Sequence, residues 1–162
     1  MQFKMIIAAV AVEDKLSDGV IRAARSLAER DGAELQIVSA WPLLSTAIPT
    51  FSGEAAANSA VAAEAMVERN RVGRESIEKQ LHDLTARLAP GARTVLIDGE
   101  PAEEIAEYAK EQGADLIVTG SHQRGFWQTL FQGSASRDLV REAPCAVFLV
   151  TKKFAEQQTG QE

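Results

Sequence analysis

Two glycines and a serine carry the clearest chemical signal in the sequence. Gly120 closes the apolar run "DLIVTG", and Gly133-Ser134 directly precedes the helical pattern "SASRDLVREA". A glycine lets the backbone turn sharply or approach a ligand closely. Ser134 suits a helix N-cap, and the free N–H groups of Ser134, Ala135 and Ser136 at a helix start form a ready anion site. A strand end facing a helix start can clamp a phosphate. The same residues also read as ordinary turn and cap chemistry. The pattern is not a Walker A loop, because Gly-Lys-Ser/Thr is absent. Nor is it G-x-G-x-x-G, and it follows the fourth apolar run, not the first.

Between the anchors, Gln123 offers an amide donor, Arg124 a positive charge that can neutralise phosphate, and Gly125 bare backbone. Phe126 and Trp127 either pack against the core edge or anchor a partner. His122 and His82 lie apart, with no Cys or carboxylate at ligand spacing, so no metal site is expected. Ser134 has no adjacent base and G-x-S-x-G is missing, so nucleophilic hydrolysis has little support. Glu103 and Glu104 are adjacent and point in different directions on a helix; the dipole at its start explains them better than paired acid–base work. Cys145, in "APCAVFLV", reads as a structural thiol at a strand start, and a single cysteine suits a reducing compartment.

Strands must position these groups. "MIIAAVAV" (Met5 to Val12) is continuously apolar, as a strand buried on both faces is in a parallel sheet. Leu16, Val20, Ala24, Leu27 and Ala28 then recur at helical spacing up to Gly32, a C′ candidate. "AELQIVSAW" (33–41) is a second strand. Residues 42–59, with Pro42, Pro49 and Gly53, read as a long loop, either functional or a plain insertion. A second helix is expected from about Ala60 to Leu88, with Met66, Ile77, Leu81, Leu84 and Leu88 as its stripe and Gly73 as a weak point. Strands over 93–99, 115–120 and 144–151 alternate with a helix opened by Pro101 and another over 134–143. The tail from 152 to 162 is polar and expected to be disordered. Alternating strands and helices imply an α/β fold with a parallel sheet and helices on both faces. Ligands of such sheets sit beyond the carboxyl ends of the strands, here Ala11 to Asp14, Ala40 to Trp41, Gly99 to Pro101, and Gly120 onward.

Bulk properties agree. The chain has 162 residues, ordinary for one domain, and a formal net charge of −6, which weighs against nucleic acid as a partner. No apolar run approaches the ~20 residues of a membrane span and no secretory leader pattern is seen, so a cytoplasmic protein with no membrane contact is expected.

From Phe3 to Thr151 the chain resembles a universal stress protein domain. "RSLAERDGAELQIVSAW", "GEPAEEIAEYAKEQGADLIVTGSH" and "GSASRDLVREAPCAVFLV" carry the resemblance in order. It implies a doubly wound, Rossmann-like sheet of five parallel strands in the order 3-2-1-4-5. It also implies a homodimer through antiparallel pairing of the last strand, here Ala146, Val147, Phe148, Leu149 and Val150. One branch of the family binds ATP through Gly-x2-Gly-x9-Gly-Ser/Thr. Laid on this chain, the motif falls on Gly120, Gln123, Gly133 and Ser134, so one glycine is replaced. An Asp that the family often has at the end of the first strand is Ala11 here, with Glu13 and Asp14 displaced from it. The resemblance thus implies a stress-response protein that binds an adenine nucleotide, with Mg as a companion ion and little or no catalysis. Adenine is expected near Ala11, Val12 and Ala40, and phosphates near Gly120, Gln123, Arg124, Gly133, Ser134 and Ala135. The alternative is a dimeric module that binds no nucleotide and acts on a regulatory protein partner.

Overall fold

Met5–Ala9 forms strand β1, and Ile6, Ile7, Ala8 and Ala9 expose none of their surface. An unbroken apolar run is what a strand covered on both faces requires. The computed structural model describes residues 1–42, 54–121 and 143–159. Within them the order continues as α1 (Ser17–Asp31), β2 (Glu34–Trp41), α2 (Glu54–Leu88), β3 (Arg93–Asp98), α3 (Pro101–Glu111), β4 (Leu116–Gly120), β5 (Ala146–Val150) and α4 (Lys152–Thr159). The five strands are parallel and lie in the order β3-β2-β1-β4-β5. This is the doubly wound α/β fold expected from the sequence.

Alternation along β1 sorts the core into two layers. Ile6 and Ala8 face Val20, Ile21 and Ala24 of α1 and Leu81 of α2, while Ile7 and Ala9 face Ala102, Ile105 and Ala109 of α3. Each buried Ile or Val side chain stabilises the fold by roughly 1.5–3 kcal/mol relative to exposure. The entry to β1 is pinned by two carboxylates. Asp31 accepts the Phe3 N–H at 2.9 Å, and Asp115 accepts those of Lys4 and Met5 at 2.7 and 2.9 Å. Helix α1 ends on Gly32 at φ 68°, and Pro101 stands in the first turn of α3.

Four expectations are corrected. β1 ends at Ala9, not Val12, because the chain is drawn into a turn from Ala11 onward. Helix α2 begins at Glu54, six residues earlier than the apolar stripe indicates. Met66, assigned to that stripe, is 48% exposed, because the stripe meets the core only in the later part of the helix. The start of the expected disordered tail is helix α4. Phe154 and Ala155 give it an apolar face; Phe154 meets Phe148 edge-on at 6.0 Å, and Ala155 seats against Gly19 of α1.

Candidate functional site

The strand order reverses between β1 and β4, and sheets of this kind seat ligands beyond the carboxyl ends at such a switch. Ala9 pairs with Thr119, so Val10, Ala11 and Val12 leave β1 beside Gly120 at the end of β4. Val38 pairs with Ala9 and its carbonyl accepts the Val10 N–H at 2.9 Å, which sets Ala40 two residues further along the same edge. Ala11, Val12, Ala40 and Gly120 thus line one edge, with small or apolar side chains throughout. Gln123, Arg124, Gly133, Ser134 and Ala135 lie outside the described residues, as do His122, Phe126, Trp127 and all but the last residue of the expected helix over 134–143.

The turn from β1 into α1 is locked by its own polar groups. The Ala11 carbonyl accepts the Asp14 N–H at 2.8 Å and the Ser17 hydroxyl at 2.6 Å. The Asp14 carboxylate accepts the Leu16 N–H at 2.7 Å, and the Asp14 carbonyl accepts the Ser17 N–H at 3.1 Å. Two of the N–H groups that a helix start leaves free are therefore engaged within the turn. Asp18, in the first turn, adds negative charge and pairs with Arg87. The start of α1 is a poor seat for an anion, so a phosphate at this edge must be held from the β4 side. Asp14 is tied into the turn through one oxygen, while Glu13 is exposed.

On the other flank, α2 is latched to the ends of β2 and β3. The Trp41 indole N–H donates to the Asn70 side-chain oxygen at 3.0 Å. Its ring lies so close to Gly73 that a Cβ there would stand 2.9 Å from the ring edge. Asp98, the register partner of Trp41, receives both arms of the Arg74 guanidinium at 2.7 and 3.1 Å. The Asp98 carboxylate raises the Arg74 pKa by hydrogen bond, and burial opposes the shift. Sequence reasoning missed this latch. Its signal was Gly73, a residue unfavourable in a helix interior unless a neighbour needs the space.

Glu103 and Glu104 occupy the first turn of α3, as the dipole argument requires. Glu104 packs over Gly99, whose N–H donates to the Trp41 carbonyl at 2.9 Å. Cys145 is half-buried beneath this sheet face, and burial pushes its thiol pKa up, with Asp115 adding to the effect. Among the described residues no three His, Cys, Asp or Glu gather to hold a metal. Nor is any described helix long and apolar enough to cross a membrane.

Known proteins share this fold. Residues 3–151 match the model of the universal stress protein family. A universal stress protein of Thermus aquaticus is 34% identical over 127 residues, covering 78% of this chain and 84% of that one. A universal stress protein solved in complex with cAMP superimposes with a TM-score of 0.60 at 16% identity, covering 93% of this chain and 98% of the other. One from Archaeoglobus fulgidus in complex with dAMP gives 0.52 at 19% identity, covering 92% and 98%.

Proposed function

The chain belongs to the universal stress protein family, and from that premise we propose that it binds an adenine nucleotide in the crevice between the ends of β1 and β4. The observation that carries this reading is the switch in strand order: β1 and β4 are neighbours out of chain sequence, and Ala11, Val12, Ala40 and Gly120 stand at their carboxyl edge without bulk or charge. The cAMP and dAMP complexes of proteins with the same fold support it. Adenine lies against Ala11, Val12 and Ala40. The phosphates lie against Gly120, Gly133, Ser134 and Ala135, with Gln123 and Arg124 supplying donors from the same loop. ATP fits this scheme, with Mg riding on the phosphates. Turnover is slow or absent, because no activated nucleophile or base is evident in the sequence.

The protein works as a cytoplasmic homodimer in stress adaptation, relaying nucleotide occupancy to a regulatory protein. β5 supports the dimer: it ends the sheet, and Phe148 and Leu149 are 37% and 43% exposed on it. A second reading, a dimeric interaction module without nucleotide, is favoured by one observation. At position 11 an alanine stands where the family often has an acid, and its carbonyl already accepts two donors.

Freshly purified protein, denatured and analysed by mass spectrometry, separates the two. Release of ATP, ADP or AMP in near-stoichiometric amount supports the first. If nothing is released, Gln123→Gly tests the loop: a variant that then carries nucleotide identifies the Gln123 side chain as the block, and an empty variant leaves the interaction module.

A further inference from the structure

Helix α4 lies beyond the residues matched to the family, which end at Thr151. It is tied to both walls of the proposed nucleotide site. On one side, Val150 pairs with Gly120, and the Ser121 N–H donates to the Val150 carbonyl at 2.9 Å. Thr151 follows and opens the helix: its hydroxyl accepts the Phe154 N–H at 3.3 Å, and its carbonyl accepts that of Ala155 at 3.0 Å. On the other side, Ala155 seats on Gly19, where an added Cβ would stand 2.7 Å from the Ala155 Cβ and 3.3 Å from its Cα. Gly19 lies two residues past Ser17, whose hydroxyl holds the Ala11 carbonyl. α4 therefore joins the end of β4 to the turn that follows β1.

This helix depends on its seat. It has 8 residues, and isolated helices below ~12–15 residues are marginal in water. Its charges oppose it as well. The first turn holds no acid and carries Lys152 and Lys153, although cations are unfavourable at the positive end of a helix. Lys152 reaches a carboxylate only at Glu156, at 3.9 Å. What holds α4 is the contact of Ala155 with Gly19 and the edge-on packing of Phe154 on Phe148.

We propose that α4 is a strap that reports nucleotide occupancy: its docking and the binding of an adenine nucleotide strengthen each other. The proposal rests on the nucleotide reading above. Nucleotide and strap bridge the same two walls, so each holds the spacing that the other needs. A phosphate beside Gly120 also offsets the two lysines where the helix begins. In the empty protein α4 is released more often, and a regulatory protein can read that release.

AMP is the probe. Calorimetry on the full chain first measures its Kd. Trypsin cuts after Lys153 only when α4 leaves its seat, so release of 154–162, read by mass spectrometry, follows the open population. Saturating AMP is expected to slow that release about fivefold or more. Linkage is reciprocal, so a chain ending at Thr151 is expected to bind AMP more weakly by the same factor. Gly19→Ala is expected to weaken AMP binding in the full chain and to leave it unchanged in the shortened one. The trypsin measurement needs no variant, and circular dichroism checks that the altered chains fold. If the wild type binds no AMP, the nucleotide reading fails and the proposal fails with it. If AMP binds but release of 154–162 keeps its rate, or the shortened chain binds AMP as tightly as the full one, the proposal alone is overturned.

Discussion

Replacing Gly99 with alanine separates two physical costs at one residue. Gly99 sits at φ 135°, where an L side chain is strained. A Cβ there would also stand 2.5 Å from the Glu104 Cγ and 2.8 Å from its carboxyl carbon. Backbone strain of this kind costs about 1–3 kcal/mol. The Glu104 side chain is flexible and can turn aside, at a cost of about 0.5–1.5 kcal/mol. Gly99→Ala is therefore expected to destabilise by about 1.5–4.5 kcal/mol, mostly through the backbone, against the ~5–15 kcal/mol that holds such a domain. Urea unfolding followed by circular dichroism reads this as a lower midpoint at unchanged slope. Adding Glu104→Ala removes the contact and leaves the strain, so the double variant recovers at most about 1.5 kcal/mol. If Gly99→Ala unfolds within about 0.5 kcal/mol of wild type, the range of ordinary surface substitutions, the turn is not as described and the reasoning fails.

Three further outcomes follow from the packing and charges. Gly19→Ala places a Cβ 2.7 Å from the Ala155 Cβ, so it lowers the thermal midpoint of the full chain; after deletion of 152–162 the same change becomes neutral or stabilising by up to ~1 kcal/mol, the helix preference of alanine over glycine. Asp31 is held down to about 2 by Arg30 and by the Phe3 N–H. Its folded pKa lies below the unfolded one, so its contribution is full above the ordinary carboxylate range and is lost as pH falls toward 2; Asp31→Asn should lower stability at pH 7 and flatten the acid limb of stability against pH. Burial raises the Cys145 thiol, so alkylation by iodoacetamide at pH 8 should run slower than for a free peptide thiol and reach that rate in urea.

The sequence made the fold legible where two signals coincided. In β1, continuous apolar character matched a position covered by helices on both faces. At Gly32 and Pro101 a helix boundary residue stood beside the end of a periodic pattern. Legibility failed where one signal was read without its tertiary partner. The alanines at 55–57 form helix well, but Pro42, Pro49 and Gly53 just before them favoured a loop. Gly73 looked like a defect in α2 until the Trp41 ring supplied the reason for it. α4 carries few apolar residues, and only the seat offered by Gly19 and Phe148 shows why they suffice. At the candidate site, the end of each strand followed from the pattern. The internal hydrogen bonds that occupy the Ala11 carbonyl did not, because they depend on how Asp14 and Ser17 fold back.

Calorimetric titration of ATP and AMP into nucleotide-free protein tests the central claim most directly, run beside an Ala11→Phe variant that fills the crevice. The account predicts saturable binding to the wild type at one site per chain. It predicts loss of that binding in Ala11→Phe, whose unfolding stays cooperative. Absence of heat at millimolar nucleotide, or equal binding by Ala11→Phe, would contradict it.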